Sequence, residues 1–600
     1  MAFQVSPGVE VKEIDATNVI GVSFSTSVGG TAGYFKWGPI EEIMTVRSEK
    51  ELVEIFGAPD DANTAASFLP AAGFLKYASN LQVVRQAPTT TTVDGSATGS
   101  TAKNAACSTS AADAIEIKNR SDYNEGAKIA SDETVPWFAR YAGALGNSLA
   151  VIVCLPDAAG NQVKGYEHAD FGNYKSLFAS APGTSAYAAG LSKTEDEMHI
   201  VVLDKLGLFT GTAGTVLESF GFVSQGQDAK TEDGSSNFFQ DVIDNTSQYL
   251  WTGGTGTSRV RTHGQVRTLT DDGDTFNDAS AASVSSPTEI GFKGGNDGSY
   301  KNTDTGTALT SLFSDALSSS VNFLFAAEGE GAADASVAVN GPLITIAATR
   351  RDILSFISPP CTITKTPATT TAADLVTYFG LTGVNTSTSY VVADSSALYV
   401  YDKYNDQYRY ISANGHLAGL CANTDRVTDS WFSPAGQNRG QILGVTKLAY
   451  NPVKTDRDTL YQARINPIVS FPGSGLILFG DKTRLTKPSA FDRINVRRLF
   501  ITLEQAISRA SESMLFEFND EFTRANFRNM VEPFLRDVKG RRGITDFLVI
   551  CDETNNDGNV VDQNRFVADI FIKPARSINF ITLNFIATRT GVEFSEIAGQ

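Results

Sequence analysis

The sequence predicts an α+β multidomain protein. An α/β core is drawn from N- and C-terminal parts of the chain, β-rich domains are inserted in the middle, and extended arms stand at both ends. Three observations predict this. Apolar residues recur with helix and strand periods over residues 21–88 and again from 341 onward. At Thr89 the texture changes to polar runs, and the stretch that follows is rich in Gly, Ser, Thr and Asp with only short apolar segments. Over residues 1–20, Val9 and Val11 alternate with Glu10 and Lys12, and no tight turn offers a partner strand. The borders read as an arm at 1–20, a core from 21–88 and 341–490, inserted domains at 89–195 and 196–340, and a C-terminal inner α/β domain at 491–600 that ends in a second arm.

Each element has a local reason. Pro7 and Gly8 exclude a helix in the first arm. Val22, Phe24, Gly33, Tyr34 and Phe35 suggest strands. Ser48, with Glu51 three residues on, forms a capping box before Leu52, Val53 and Phe56, and Gly57-Ala58-Pro59 ends that helix. A second helix is expected over about 62–78, followed by the strand Leu81–Arg85. Residues 88–112 read as a domain boundary or surface insertion, and Leu149–Val153 and His199–Leu203 as short strands beyond it. The core texture returns near Leu343. Arg350–Ile357 reads as a buried strand, and Ala397–Tyr401 with Tyr408–Ile411 as a hairpin. Val496, Leu499, Leu503, Ile507 and Met514 follow helical spacing, Asn519-Asp520 breaks and recaps the chain, and Phe527, Val531, Leu535 and Val538 make a second helix with Pro533 as a kink and Gly540 as a stop. Strands are expected at Phe547–Cys551, Phe566–Ile572 and Ile578–Ile586.

Composition mainly excludes. With 600 residues, 42% of them hydrophobic, the chain can bury several cores, about three to five domains. Fifty-two glycines speak for loops and β structure over a helical bundle. A net charge of −18 argues against nucleic-acid binding, which needs excess Lys and Arg to neutralise phosphates. No apolar run is long enough to cross a membrane, and the N-terminus lacks a secretory pattern, so the protein is expected in cytoplasm. Cys107, Cys154, Cys361, Cys421 and Cys551 are widely spaced and read as buried free thiols.

No motif for catalysis or for a cofactor stands out. His168, His199, His263 and His416 have no metal-ligand spacing, and no GxSxG elbow marks a nucleophile. Asp271-Asp272-Gly273-Asp274 lacks the distal Glu of a calcium loop. In the loop from Glu553 the closing position is Asn564, so Asn556-Asp557-Gly558 reads as a polar turn. Gly253-Gly254-Thr255-Gly256 carries no phosphate-binding lysine, and Glu328-Gly329-Glu330-Gly331 reads as a linker.

A series of motifs resembles the contractile tail sheath proteins of myovirus-type bacteriophages. Ser6-Pro7-Gly8-Val9-Glu10 resembles their opening segment, and Gly33-Tyr34-Phe35-Lys36-Trp37-Gly38-Pro39 their aromatic-to-GP turn. Phe56-Gly57 and Asn80–Arg85 continue the match. Further on stand Ser433-Pro434-Ala435-Gly436, Arg439-Gly440, Leu460-Tyr461, Ile465-Asn466-Pro467-Ile468, Gly480-Asp481-Lys482-Thr483, Asn495-Val496-Arg497-Arg498-Leu499 and Phe516-Glu517-Phe518-Asn519-Asp520. Phe479 and Lys482 stand where the family usually has Trp and Arg, and Phe518 where Pro is common. The match covers about 1–90 and 340–600.

The resemblance implies a homo-oligomer of stacked six-membered rings, wound helically around a tail tube protein and bounded by baseplate and tail terminator proteins. It implies contraction that drives the tube through the host envelope, with no cofactor and no bond-making chemistry. The protein would reside in the virion tail and, during assembly, in host cytoplasm. Terminal arms are expected to join subunits through Val5, Pro7, Gly8, Val9, Val11, Ile578, Phe580, Ile581, Leu583 and Phe585; the other reading is that both ends pair within their own subunit. The basic helix and turn with Arg524, Arg528, Arg536, Lys539, Arg541 and Arg542 are expected to face the tube or, on the plainer reading, solvent. A tailocin or secretion-type sheath subunit is the neighbouring alternative, and a β-rich glycan-active enzyme the alternative from another class.

Overall fold

The computed structural model describes residues 26–60, 62–86, 88, 91–93, 96–98, 100–108, 110–125, 135–156, 166–167, 169–253, 289–328 and 337–579. The fold is α+β and multidomain, with several sheets and helices in two compact units. One unit comprises Thr428–Ser433 and the chain from Arg493; the other runs Ser25–Val427 and Pro434–Asp492.

The larger unit is built on one open sheet. Its strands are β1 (Gly29–Gly33), β2 (Ile43–Val46), β3 (Leu81–Arg85), β12 (Phe323–Phe325), β13 (Leu354–Ile357) and β14 (Val391–Ala393). They run in the order β14-β13-β12-β1-β3-β2, all parallel except β2. Helices cover both faces, which is why β1, β12, β13 and β14 are buried throughout. Leu324 of β12 faces a core that includes Leu309, Phe313, Leu343 and Leu375, whereas Phe325 meets Phe74 at 5.6 Å between ring centroids. The first face is covered by α6 (Asn302–Phe313), α7 (Asn340–Arg350), α9 (Thr371–Tyr378) and α11 (Lys454–Gln462), after the short α8 (Cys361–Lys365). The second carries α2 (Ala62–Leu75) and α10 (Asn414–Val427). A Cβ on Gly415 would stand 2.2 Å from the Pro70 carbonyl oxygen, so glycine is what allows these two helices their close approach.

Local signals act largely where the sequence places them. Ser48 caps α1 (Glu49–Phe56) through a 3.2 Å bond from the Glu51 N–H. The Glu51 carboxylate accepts from the Arg47 N–H at 2.8 Å, one residue earlier than a reciprocal capping box requires. Gly57, at φ 75°, closes the helix with its N–H on the Val53 carbonyl, 2.9 Å. The expected hairpin is β15 (Leu398–Asp402) with β16 (Gln407–Ile411), and β17 (Lys447–Leu448) joins its other side. β18 (Ile468–Phe471) and β19 (Gly475–Leu478) form a further hairpin.

The middle region departs from expectation. It does contain a β-rich layer: β7 (Leu149–Cys154), β8 (Glu197–Asp204), β9 (Thr215–Ser224) and β11 (Ile290–Gly291) pair in the order β11-β7-β8-β9. β6 (Trp137–Ala139) pairs with β10 (Leu250–Thr252); α3 (Arg120–Glu125) precedes these strands in sequence, and α4 (Ala186–Gly190) and α5 (Phe239–Thr246) lie among them. The polar run is not all surface. It forms the hairpin β4 (Thr91–Val93) with β5 (Ser96–Thr98), and then Ala102, Asn104, Ala105, Ala106 and Cys107 are buried. The texture at Leu343 also marks the return of the core too late, because α6 and β12 already belong to the large sheet. The buried strand expected from Arg350 begins only at Leu354. Arg350 is the last residue of α7, and Arg351 turns the chain at φ 63°.

In the other unit, α12 (Ile494–Glu512) and α13 (Glu521–Gly540) pack with β20 (Ile544–Ile550) and β21 (Asp569–Pro574). Phe527, Val531, Leu535 and Val538 form the buried stripe of α13, spaced as an amphipathic helix requires. Asp520 caps α13 by accepting from the Thr523 N–H at 2.7 Å. The helix runs through Pro533 and ends at Gly540, with Arg541 as its cap. Asp557 caps a single helical turn, α14 (Gly558–Asp562), where a β-turn is expected. Of the strand expected at Ile578–Ile586, residues 578 and 579 are not in a strand and the rest lies outside the described residues.

Candidate assembly surfaces

Open α/β sheets bind ligands beyond the carboxyl ends of their strands, where the strand order reverses. Here that point lies between β1 and β12, and the start of α10 docks beyond the ends of β12 and β13. Asn414 donates from Nδ2 to the Ala326 carbonyl (2.6 Å) and from its backbone N–H to Ser358 Oγ (3.1 Å). Ser358 Oγ in turn donates to Asp394 Oδ2 (2.5 Å). Asp394 is buried and also accepts from the Ser396 N–H at 3.3 Å; burial raises its pKa to about 7. His416, in the first turn of α10, lies buried against Gly73 and Tyr77; burial, then the nearby Lys76 charge, lower its pKa to about 3. These groups are engaged by the protein's own backbone and side chains.

The other candidate chemistry is likewise engaged in structure. His199 is buried, with Nε2 2.9 Å from the Ser180 carbonyl and Nδ1 accepting from the Phe222 N–H at 3.1 Å. Its ring stacks on Phe178 at 4.1 Å. The five cysteines are free thiols, and burial pushes Cys107 well above the ordinary thiol range. Among the described residues no group of three His, Cys, Asp or Glu side chains is placed to hold a metal. His168, His263, residues 271–278 and the linkers from Gly254 and Gly329 lie outside the described residues.

The basic helix does not present one cationic face. Arg524 is buried, 8% exposed, and donates from Nη1 to Asn519 Oδ1 at 3.1 Å; Asn519 donates onward to the Arg565 carbonyl at 2.7 Å. Arg528 is half-buried and donates from Nη2 to the Cys551 carbonyl at 2.9 Å. Arg524 holds the turn before α13, and Arg528 holds the end of β20, onto the first half of the helix. Arg536 and Lys539 are exposed, with Glu532 at 3.9 Å from the first and Asp546 at 3.0 Å from the second.

Two apolar surfaces remain open in this unit. β20 and β21 pair only with each other among the described residues, and the cross-strand pair Leu548 and Phe571 is 55% and 56% exposed. Ile578 is exposed; the other arm residues, Val5 to Val11 and Phe580 to Phe585, lie outside the described residues. The second surface escapes the sequence reading. Leu515, Phe516 and Phe518, in the turn between α12 and α13, and Phe522, in the first turn of α13, are all largely exposed. The signal for it is present in the sequence: after Met514 the aromatic residues fit no helical stripe and alternate with carboxylates.

Comparison with known proteins is consistent across the chain. Residues 308–484 match the model of the phage tail sheath protein central domain, and residues 486–588 that of the phage tail sheath C-terminal domain. The chain is 34% identical to the tail sheath protein of Vibrio phage KVP40, over 99% of this chain and 100% of that one. It is 32% identical to the tail sheath protein of Enterobacteria phage T4, over 99% of each. Among solved structures, the sheath tail protein of Listeria innocua has the same fold at 11% identity, with a TM-score of 0.50 over 92% of this chain and 96% of that one. Full-length identity at this level, the two matched domains and the shared fold place the chain in the family of phage tail sheath proteins, as a structural component of the virion and not an enzyme.

Proposed function

We propose that this chain polymerises as stacked six-membered rings around the tail tube and that the rings contract to drive the tube through the host envelope. The observation that carries the reading is the unfinished sheet β20–β21. A two-stranded sheet is marginal by itself, and this one leaves Leu548 and Phe571 open. Residues 1–20 and 577–600 are suited to complete it in a neighbouring subunit by strand addition, and a 20-residue arm reaches at most about 65 Å. The sheet-centred unit would serve as the sheath core, moving as a rigid body while the arms keep subunits connected. The β-rich insertion would face outward, and the free ends of the polymer would meet baseplate and terminator proteins.

On this reading Arg536 and Lys539 meet the tube through releasable charge contacts, and Arg524 and Arg528 position the helix that carries them. Deleting residues 2–18 tests the linkage: the shortened chain should fold yet fail to form sheath by negative-stain microscopy, and normal sheath would overturn it. With tubes present, R536E/K539E should weaken extended-sheath assembly most at low salt, with the difference from wild type narrowing as salt is raised; assembly indistinguishable from wild type at low salt would remove these residues from the tube contact.

A further inference from the structure

The two ends of α13 differ in the side chains they expose. At the start of the helix, residues 512–522 carry Glu512, Glu517, Asp520 and Glu521 and no Lys or Arg. The turn exposes Phe516 and Phe518 by 106% and 84%, the first turn of α13 exposes Phe522 by 73%, and Phe516 holds φ 70°, a conformation bulky L-residues disfavour. The helix is 20 residues long, so its far end lies about 30 Å away. There the chain emerges into Arg541 and Arg542, and the Ala575 N–H donates to the Gly543 carbonyl at 3.2 Å, which brings Arg576 beside Arg542. Arg542 and Arg576 are exposed, and neither forms an ion pair among the described residues. Beside them stand the exposed Ile578 and the half-buried Trp431, whose Nε1 donates to the Arg541 carbonyl at 3.1 Å. One end therefore offers carboxylates and aromatic rings, and the other offers unpaired guanidinium groups and apolar surface.

We propose that the acidic aromatic turn between α12 and α13 docks on the Arg542–Arg576 end of the same domain in a second copy of the chain. The two ends differ, so the contact is head-to-tail and repeats without self-closure between two copies, as a ring or helical lattice requires. Guanidinium groups complement both features of the turn, pairing with its carboxylates and lying over its rings. The charge pattern disfavours an anionic membrane as the occupant, because four carboxylates would face lipid phosphates. The inference rests on the polymer reading above and names one of its contacts.

The test uses the full-length chain, with polymer measured by sedimentation and negative-stain microscopy and folding followed by circular dichroism. E517R/E521R and R542E/R576E should each reduce polymer about tenfold or more, and combining all four substitutions should restore most of it. F516S/F518S should reduce polymer in a way that salt does not reverse. Folded single-pair variants that polymerise like wild type overturn the contact, as does a four-fold variant without rescue. Normal self-assembly together with lost binding to isolated tubes would assign the turn to the tube and also overturn it. A wild-type chain that stays monomeric at every concentration overturns the polymer reading itself, which separates the two failures.

Discussion

Replacing Asp394 by Asn should make the start of α10 acid-sensitive. Asp394 has its pKa raised from 3.8 to about 7 in the folded chain. Its contribution is therefore fully favourable below 3.8, where both states hold the proton, and is lost as pH rises toward 7. His416 is lowered from 6.5 to about 3, so its contribution is complete above 6.5 and is lost as pH falls. Each effect amounts to about 1.4 kcal/mol per pH unit, about 4 to 5 kcal/mol in all for each group. Between about pH 4 and 6.5 the folded chain holds one extra proton at Asp394 and one fewer at His416, and the two slopes cancel. Asp394→Asn removes the first. The variant should then lose about 3 kcal/mol of local stability between pH 6.5 and 4, whereas wild type stays nearly flat. His416→Leu should show the mirror image, weakening as pH rises from 4 to 7, and the double variant should be flat again. A chain with several domains has no single unfolding free energy, so the assay is native-state hydrogen exchange of α10 and β13 peptides across this range. If the Asp394→Asn profile follows wild type, the opposition of these two buried groups is refuted.

Two further substitutions test the packing. The Arg350 side chain is 2% exposed and bonds Asp352, the Phe313 and Ser319 carbonyls and the Ser319 hydroxyl, so Arg350→Ala should cost about 3–5 kcal/mol and speed proteolysis near Ser319, with Arg350→Lys recovering only part. Gly415→Ala sets a methyl 2.2 Å from the Pro70 oxygen and should destabilise by about 3 kcal/mol in thermal melts, while Gly558→Ala, which meets nothing within 4 Å, should change the melt little.

Much of the fold was legible where local chemistry decides it. The apolar spacing of α12 and α13, the Ser48 cap and the Leu398–Ile411 hairpin follow from residues close in sequence. β12 was not legible, because three residues between Gly- and Ser-rich segments show no period, and their strand exists only through pairing with β1 and β13. The end of α7 was hidden for another reason: Arg351 takes a left-handed conformation with no Gly or Pro to mark it. The candidate surface was legible in part. Arg524 stands three residues before Phe527 and seven before Val531, which places it on the buried stripe of α13, yet the density of positive charge made the helix read as an exposed basic face.

The two units resolve their polar and apolar groups in different ways, and this bears on where assembly acts. In the sheet-centred unit Asn414, Ser358 and Asp394 bond one another beyond the ends of β12, β13 and β14, His416 is buried against α2, and the main sheet has helices on both faces. In the other unit the aromatic turn stays exposed and the sheet has two strands among the described residues. An open strand edge invites indiscriminate pairing unless charge restricts it. Here Asp546, Lys573 and Asp569 stand near the exposed Leu548–Phe571 pair, so an incoming strand must match an apolar centre and a charged border together. Selection of that kind favours one register of one partner segment, which is the property a lattice needs if its subunits are to turn during contraction without losing their neighbours.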